Sequence, residues 1–356
     1  MSECSTLSFP SRTIGVDLGD RFSTYTVRDS AGEVCERGRF RTTTDAVVKF
    51  FEGENGTRVV YEASTHSPWL TTHLQRLGCE TVIANPHRVK LISASHSKCD
   101  RKDADLLSEF GFLKPSTLSP IQHRRPEGQA VRAAMRARKV LVEMRTKLIN
   151  AARGLMKSSG HRADSCSSTA FHRKLKIPSE LRVALEPLRD QIESLTGRIQ
   201  ELERHFEQVS QDLYPETALL QQIPGVGPIT SLAYVLTIDD PGRFRRSRDV
   251  GSYLGLVPKV SQSSDSNPEL SITKAGDKDM RQLLVQSAHY ILGRFGQDSD
   301  LRRHGERIAA GGGKIAKRRA VIAVARKLAV VLHRLWVSGE TYDPLRNSVT
   351  RARDVT

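Results

Sequence analysis

The chain has 356 residues, with 55 Lys and Arg against 40 Asp and Glu, a formal net charge of +15. That length accommodates two or three domains with at least one sizeable core. The charge points to a polyanionic partner, attracted by the field before any sequence is read. Five scattered cysteines (Cys4, Cys35, Cys79, Cys99, Cys166) form neither a metal-ligand spacing nor a disulfide frame. With no N-terminal signal pattern and no apolar run of bilayer length, a soluble, reduced, cytoplasmic protein with no membrane partner is expected.

The N-terminal third reads as short strands joined by tight turns. Residues 12–16, 23–28 and 34–41 are predicted strands, with Asp29-Ser30-Ala31-Gly32 as a hairpin turn. A helix over 45–51, a strand over 58–62, a helix over 69–77 and a strand over 80–84 follow, the last closed by Asn85-Pro86. Three strands followed by alternating strands and helices is the order of the ribonuclease H-like fold. There the first strand is central and the next long strand lies beside it, which makes Asp17 and Glu62 neighbours.

Beyond residue 126 the composition turns to long, charged helices. Residues 131–156 are amphipathic and basic, and a Ser-rich interruption follows. Leu185, Leu188, Ile192, Leu195, Ile199, Leu202, Phe206, Val209 and Leu213 then recur at alternating steps of three and four, a sustained heptad. Self-association through this stripe is the expectation, ahead of packing within one chain against residues 131–156. Pro215 ends it. Ile223-Pro224-Gly225-Val226-Gly227-Pro228, before an apolar helix, resembles the turn of a helix-hairpin-helix, where Gly225 and Gly227 would let backbone N–H groups approach a phosphate. Helices over 280–292 and 316–335 complete an all-α region, and a polar, Ser-rich loop lies between Pro258 and Ile272.

Four acids are the candidates for chemistry. Asp17 and Glu62 end apolar strands, and Asp100 and Asp103 lie three apart at a helix start. Carboxylates placed so can converge on hard divalent cations, and two such ions can serve both oxygens of a phosphodiester exchange. Most acids are solvated surface residues, however, and Asp100 and Asp103 also suit an N-terminal capping pair. Asp105 and Glu109 remain alternatives by spacing. Lys98, Arg101 and Lys102 would reduce carboxylate repulsion or touch phosphate. Gly15-Val16-Asp17-Leu18-Gly19 also suits the first phosphate loop of actin-like ATPases, but no second loop follows, and Gly311-Gly312-Gly313-Lys314 lacks the rest of a P-loop. The loop serines suit a flexible linker unless a base or metal activates one of them, and the loop has no histidine.

These residues resemble the DEDD-type transposases of the insertion-sequence 110 family, the bridge-RNA-guided serine recombinases. The resemblance rests on the acidic segments, the heptad helix and most of residues 219–344. Ile223–Pro228, Tyr253-Leu254-Gly255-Leu256-Val257-Pro258, Ile272-Thr273-Lys274-Ala275-Gly276-Asp277 before Met280-Arg281, and Ala323–Ala329 are its most specific stretches. It implies α/β plus all-α architecture: a RuvC-like nuclease domain over 1–125, a helical coiled-coil dimerisation region over 126–218, a helical transposase domain over 219–345 and a tail over 346–356. Asp17, Glu62, Asp100 and Asp103 would bind Mg²⁺, with Mn²⁺ as a substitute. Ser263 takes the position of the serine that attacks DNA and forms a 5′-phosphoserine, while Ser264 stands where the family usually has glycine. The implied partners are donor and target double-stranded DNA, a structured guide RNA, and further copies of the chain in a dimer or tetramer with composite active sites. Lys274, Arg281, Lys314, Arg318 and Arg319 are then candidate phosphate or RNA contacts. Two other readings stay open: a metal-dependent endonuclease that uses water, and a catalytically silent nucleic-acid-binding coiled coil.

Overall fold

The computed structural model describes residues 10–92, 99–123, 126–260 and 270–347. Chain contacts divide it into two compact units, with the division between Pro126 and Glu127.

The first unit is built on a five-stranded sheet in the order β3-β2-β1-β4-β5. Its strands are β1 (Thr13–Asp17), β2 (Phe22–Arg28), β3 (Val34–Arg41), β4 (Arg58–Glu62) and β5 (Glu80–Ala84). The first three run antiparallel through tight turns, and β1, β4 and β5 run parallel. Because side chains alternate across a strand, the sheet has two apolar faces. Ile14, Val16, Val27, Val59 and Tyr61 pack on one side against Val47 and Phe51 of α1 (Thr44–Phe51) and Leu70 and Leu74 of α2 (Ser67–Arg76). Val60, Val82 and Ala84 pack on the other against α3 (Pro86–Ile92) and α4 (Asp100–Leu113). Tyr61 ties the first layer down: its hydroxyl lies 2.6 Å from Thr71 Oγ1, and burial pushes its pKa up to about 12. This mixed sheet has the form expected for the ribonuclease H-like nuclease fold.

The second unit is helical. Its first parts are the 33-residue α5 (Pro126–Ser158), the short α6 (Phe171–Lys174) and the 32-residue α7 (Arg182–Leu213). Helix α5 folds back on α7 as an antiparallel hairpin. Arg138 pairs with Glu203, and Arg145 donates to Thr196, so a step forward on one helix is matched by a step back on the other. Leu185, Ile192, Ile199 and Phe206 are almost fully enclosed by their own chain. This corrects the expectation of self-association through the whole heptad stripe: its inner line is satisfied within the chain. Leu188, Leu195, Leu202 and Val209 stay partly exposed, and Leu213 at the helix end is exposed. A bundle follows, of α8 (Glu216–Leu220), α9 (Pro228–Ile238), α10 (Asp249–Tyr253), α11 (Lys278–Leu292), α12 (Asp300–Ala309) and α13 (Gly313–Ser338). Its core gathers Tyr234, Leu254, Leu256, Leu284, Val324, Leu328 and Leu332. Buried His333 lies within hydrogen-bonding distance of Ser247 and the Pro241 carbonyl, both at 3.0 Å, a packing role.

Candidate active site

In the sheet, Val16 pairs with Tyr61 across parallel strands, so Asp17 and Glu62 end adjacent strands at the same edge. Alternation puts both on the face that carries Gly15 and Val60. Helix α4 crosses that face at very short range. A Cβ built on Gly15 would lie 2.8 Å from Ser108 Cα and closer still to the Ala104 carbonyl oxygen; one on Gly111 would collide with Val60. Arg58 Nη1 donates to the Gly111 carbonyl at 3.0 Å. The C-terminal end of α4 therefore lies over the start of β4, and its N-terminus points toward the end of β1. Two strand residues from Gly15 to Asp17 advance about 6.6 Å, and four helix residues from Ala104 back to Asp100 advance about 6 Å. By this matching of steps the first turn of α4, which carries Asp100 and Asp103, lies toward the edge where β1 and β4 end.

Within α4, Ala104, Leu107, Ser108 and Gly111 form the buried stripe. Asp100 and Asp103 continue that stripe N-terminally at helical spacing. Neither caps the helix: the cap position is Cys99, and it makes no side-chain cap bond. Asp105 points elsewhere, accepting from Thr26 at 2.7 Å and Arg37 at 2.9 Å. Burial alone pushes its carboxyl up, but those hydrogen bonds and the charges of Arg37 and Arg101 outweigh it and hold the pKa below the ordinary carboxylate value. Glu109 is exposed and faces Arg28 at 3.9 Å. The structure thus separates the two acids aligned with the strand ends from the two that bind arginines. Among the described residues, no group of three or more His, Cys, Asp or Glu side chains stands close enough to hold a metal ion. Asp17, Glu62, Asp100 and Asp103 therefore do not close a cage. Their donor set, hard carboxylate oxygen only, fits Mg²⁺ or Mn²⁺ and not a thiolate-seeking metal. Arg101 and Lys102 are exposed in the same first turn. Lys98 lies outside the described residues.

Ser263 and Ser264 also lie outside the described residues. The ends of their loop are well placed: Pro258 bridges Ile272 antiparallel, Lys259 N donates to Ser271 O at 3.0 Å, and Thr273 N donates to Val257 O at 2.9 Å. Behind this hairpin base the backbone is interlocked. Gly255 and Gly276 have positive φ, and a Cβ on either would strike the opposite main chain at Ala275 or Tyr253. Lys274 also sits at φ 56°, exposed, with its N–H on Gly255 O at 3.1 Å. Arg281 donates from one nitrogen to the Leu254, Ala275 and Gly276 carbonyls. Its Nη1 clamps this crossing, a main-chain role beside its candidate role as a phosphate contact.

The glycines of the Ile223–Pro228 turn divide similarly. Gly225, at φ 94°, faces Tyr290 and the Ser287 carbonyl, so its missing Cβ serves packing against α11. Gly227 precedes α9 with open space where a Cβ would be. Lys314, Arg318 and Arg319 are exposed on the first turns of α13. Sequence reasoning missed Arg248 and His304, which line one groove with Arg318 and Arg319; they come from distant segments, and no spacing rule joins them.

A carboxylate-edged sheet of ribonuclease H-like form, joined in sequence to a basic helical unit, defines a nuclease-type DNA enzyme. The DEDD transposase family matches residues 14–160, and the transposase family named for IS116, IS110 and IS902 matches residues 217–304. The transposase for insertion sequence element IS1111A of Coxiella burnetii is 28% identical over 282 residues, covering 77% of this chain and 76% of that one. The transposase for element IS1328 of Yersinia enterocolitica is 28% identical over 79% of this chain and 84% of its own. A pilin gene-inverting protein of Moraxella bovis is 28% identical over a shorter stretch, 37% of this chain and 40% of its own. The chain belongs to the IS110 family of transposases, DNA-binding enzymes that cut and rejoin DNA in recombination. No helix among the described residues is long and apolar enough to cross a membrane.

Proposed function

We propose that this transposase moves its own insertion sequence by phosphodiester exchange through a covalent 5′-phosphoserine on Ser263, under the direction of a structured guide RNA. The observation that supports the chemistry is that Asp17 and Glu62 end adjacent parallel strands while α4, which begins with Asp100 and Asp103, packs against Gly15 on the same face. These four would hold Mg²⁺, or Mn²⁺ in its place, which supplies charge stabilisation to the attacking and leaving oxygens. Ser263 Oγ loses its proton and forms a bond to phosphorus. The bond from phosphorus to O3′ breaks, O3′ gains a proton, and the 5′-phosphate stays on the serine. Attack by another 3′ hydroxyl reverses these changes and rejoins DNA, so no outside energy source is needed. The interlocked backbone at Gly255 and Gly276, clamped by Arg281, favours this reading by giving the serine-bearing loop a rigid base.

Partly exposed Leu195 of α7 and exposed Met144 and Leu155 of α5 leave apolar surface on the hairpin that supports a homo-oligomer. The net charge of +15 supports simultaneous contact with donor DNA, target DNA and guide RNA. Gly227 and Lys274, with Lys98, Arg101 and Lys102, remain candidate contacts to them.

The test is a covalent trap. Protein purified with its RNA is mixed with Mg²⁺ and labelled junction and target DNA, then denatured. A protein–DNA band abolished by Ser263→Ala and by Asp17→Ala is expected. Loss in Ser264→Ala alone would move the nucleophile by one residue. Cleaved ends without an adduct would replace the recombinase with a hydrolytic endonuclease.

A further inference from the structure

The strand registers of the first unit place a cation in the same row as two of the acids. Thr24 pairs with Asp17 across β2 and β1, and Arg39 pairs with Thr24 across β3 and β2. Glu62 ends β4 on the other side of Asp17. Directly opposed residues share a face, so Arg39, Thr24, Asp17 and Glu62 form one row on the face that α4 crosses. With strands about 4.8 Å apart, the Arg39 backbone stands roughly 10 Å from that of Asp17. The other arginines of this face described above are committed. Arg37, one row behind, pairs with Asp105 at 2.9 Å; Arg28 donates to Ser108 at 3.0 Å; Arg58 pairs with Glu80 at 3.0 Å. Arg39 is exposed, and among the described residues its guanidinium forms no ion pair. It has a ring instead: its Cζ lies 5.0 Å from the centroid of Phe22, which opens β2 and is 44% exposed.

We infer that Arg39, braced by Phe22, grips a phosphate beside the scissile one and sets the register of the cut strand against Asp17 and Glu62. Stacking occupies the flat face of the guanidinium and leaves its N–H edge free, and that edge matches two oxygens of one phosphate. The offset of roughly 10 Å from Asp17 puts this contact at a neighbouring phosphate, not at the reacting one. Contacts to phosphate fix register and carry no sequence information, which suits an enzyme whose cleavage point must be exact whatever the sequence. A cation in the acids' own row serves the strand that the acids cut, so DNA and not guide RNA is its partner. The inference rests on the proposed reading of the acidic edge as the site of cleavage.

The test is single-turnover cleavage of labelled junction DNA by the protein with its RNA in Mg²⁺. The DNAs each carry one uncharged methylphosphonate, placed in turn at the phosphates flanking the scissile bond. In the wild type, one flanking position is expected to slow cleavage about 10- to 100-fold, the worth of one charge-assisted contact. Arg39→Ala is expected to slow cleavage of unmodified DNA by a similar factor and to become insensitive at that position alone. Arg39→Lys, which keeps the charge but not the paired N–H edge, is expected to recover part of the rate. Phe22→Leu is expected to slow cleavage about 2- to 5-fold through loss of the stack. Both side chains are exposed, so the melting temperatures should match the wild type. Slower cleavage with an unchanged pattern of sensitivity would overturn the contact. Arg39→Ala cleavage restored to the wild-type rate by excess guide RNA would assign the residue to RNA and overturn its role on DNA. Unchanged cleavage in Arg39→Ala, with none in Asp17→Ala, would sink the arginine alone. Wild-type cleavage by Asp17→Ala would sink the acidic edge itself.

Discussion

Gly15→Ala tests how the acidic edge is assembled. The added Cβ would stand 2.8 Å from Ser108 Cα, and nearer to the Ala104 carbonyl oxygen and the Ser108 amide, all of them main-chain atoms. No rotamer change relieves such a clash. To restore ordinary contact, α4 must retreat from β1 by roughly 1 Å, taking Asp100 and Asp103 with it while Asp17 and Glu62 stay on the sheet. Overpacking of this kind costs about 1–3 kcal/mol. A displacement of about 1 Å between cooperating groups costs roughly 100-fold in rate. The expected phenotype is a folded protein with a modestly lowered melting temperature and a strand-cleavage rate reduced about 100-fold, partly recovered at high Mn²⁺ or Mg²⁺. The assay pairs thermal unfolding with single-turnover cleavage of junction DNA. Unfolding at a lower temperature with a wild-type cleavage rate would refute the reasoning, because it would show that the acids on α4 need no register with those on the sheet.

Asp105→Asn removes the charge that Arg37 and Thr26 hold. Because the folded pKa is depressed, this charge stabilises above the unfolded carboxylate value near 4 and the contribution fades as pH falls through the lower folded value. With Arg37 partly exposed, the loss is about 1 kcal/mol at neutral pH, or roughly 4 °C, and the variant and wild-type melting curves converge in acid. Arg145→Met replaces a buried guanidinium whose Nε has no hydrogen-bond partner, and urea unfolding should show it neutral or stabilising by about 1–2 kcal/mol. Arg281→Ala strips three carbonyls of their donor; a loss of about 2 kcal/mol with an unchanged salt slope of DNA binding is expected if the clamp is its only role, whereas a shallower slope would make Arg281 a phosphate contact as well. Chelation by EDTA should stop cleavage while leaving DNA binding, read by anisotropy, in place.

Strand positions in the first unit were readable from sequence because period-two alternation bounded by Gly, Asn and Pro has one geometric meaning. The elements 34–41, 58–62 and 80–84 match the observed strands residue for residue. The adjacency of Asp17 and Glu62 followed from fold order. What sequence could not distinguish was Asp105 from Asp103: both are one helical turn from a neighbour, and only the position of Arg37, on a strand far away in sequence, separates them. The heptad was ambiguous for a different reason. Its period states that a partner helix exists and not which one, and the complementary line on α5 is masked by Arg138 and Arg145, whose charges hide an inward-facing stripe. The clamping role of Arg281 was not legible because hydrogen bonds to main-chain carbonyls leave no mark on side-chain patterns.

The opposed register of α5 and α7 carries a consequence for size. Since Arg138 meets Glu203 and Arg145 meets Thr196, removing one heptad from each arm toward the tip preserves every pairing that remains. Such a paired excision draws the tip in by about 10 Å. The stem, where Val131, Phe206, Leu232 and Leu236 share a core, is untouched. The hairpin therefore behaves as an arm of adjustable length on a fixed shoulder, and the span it reaches can be set in increments of two turns independently of the chemistry.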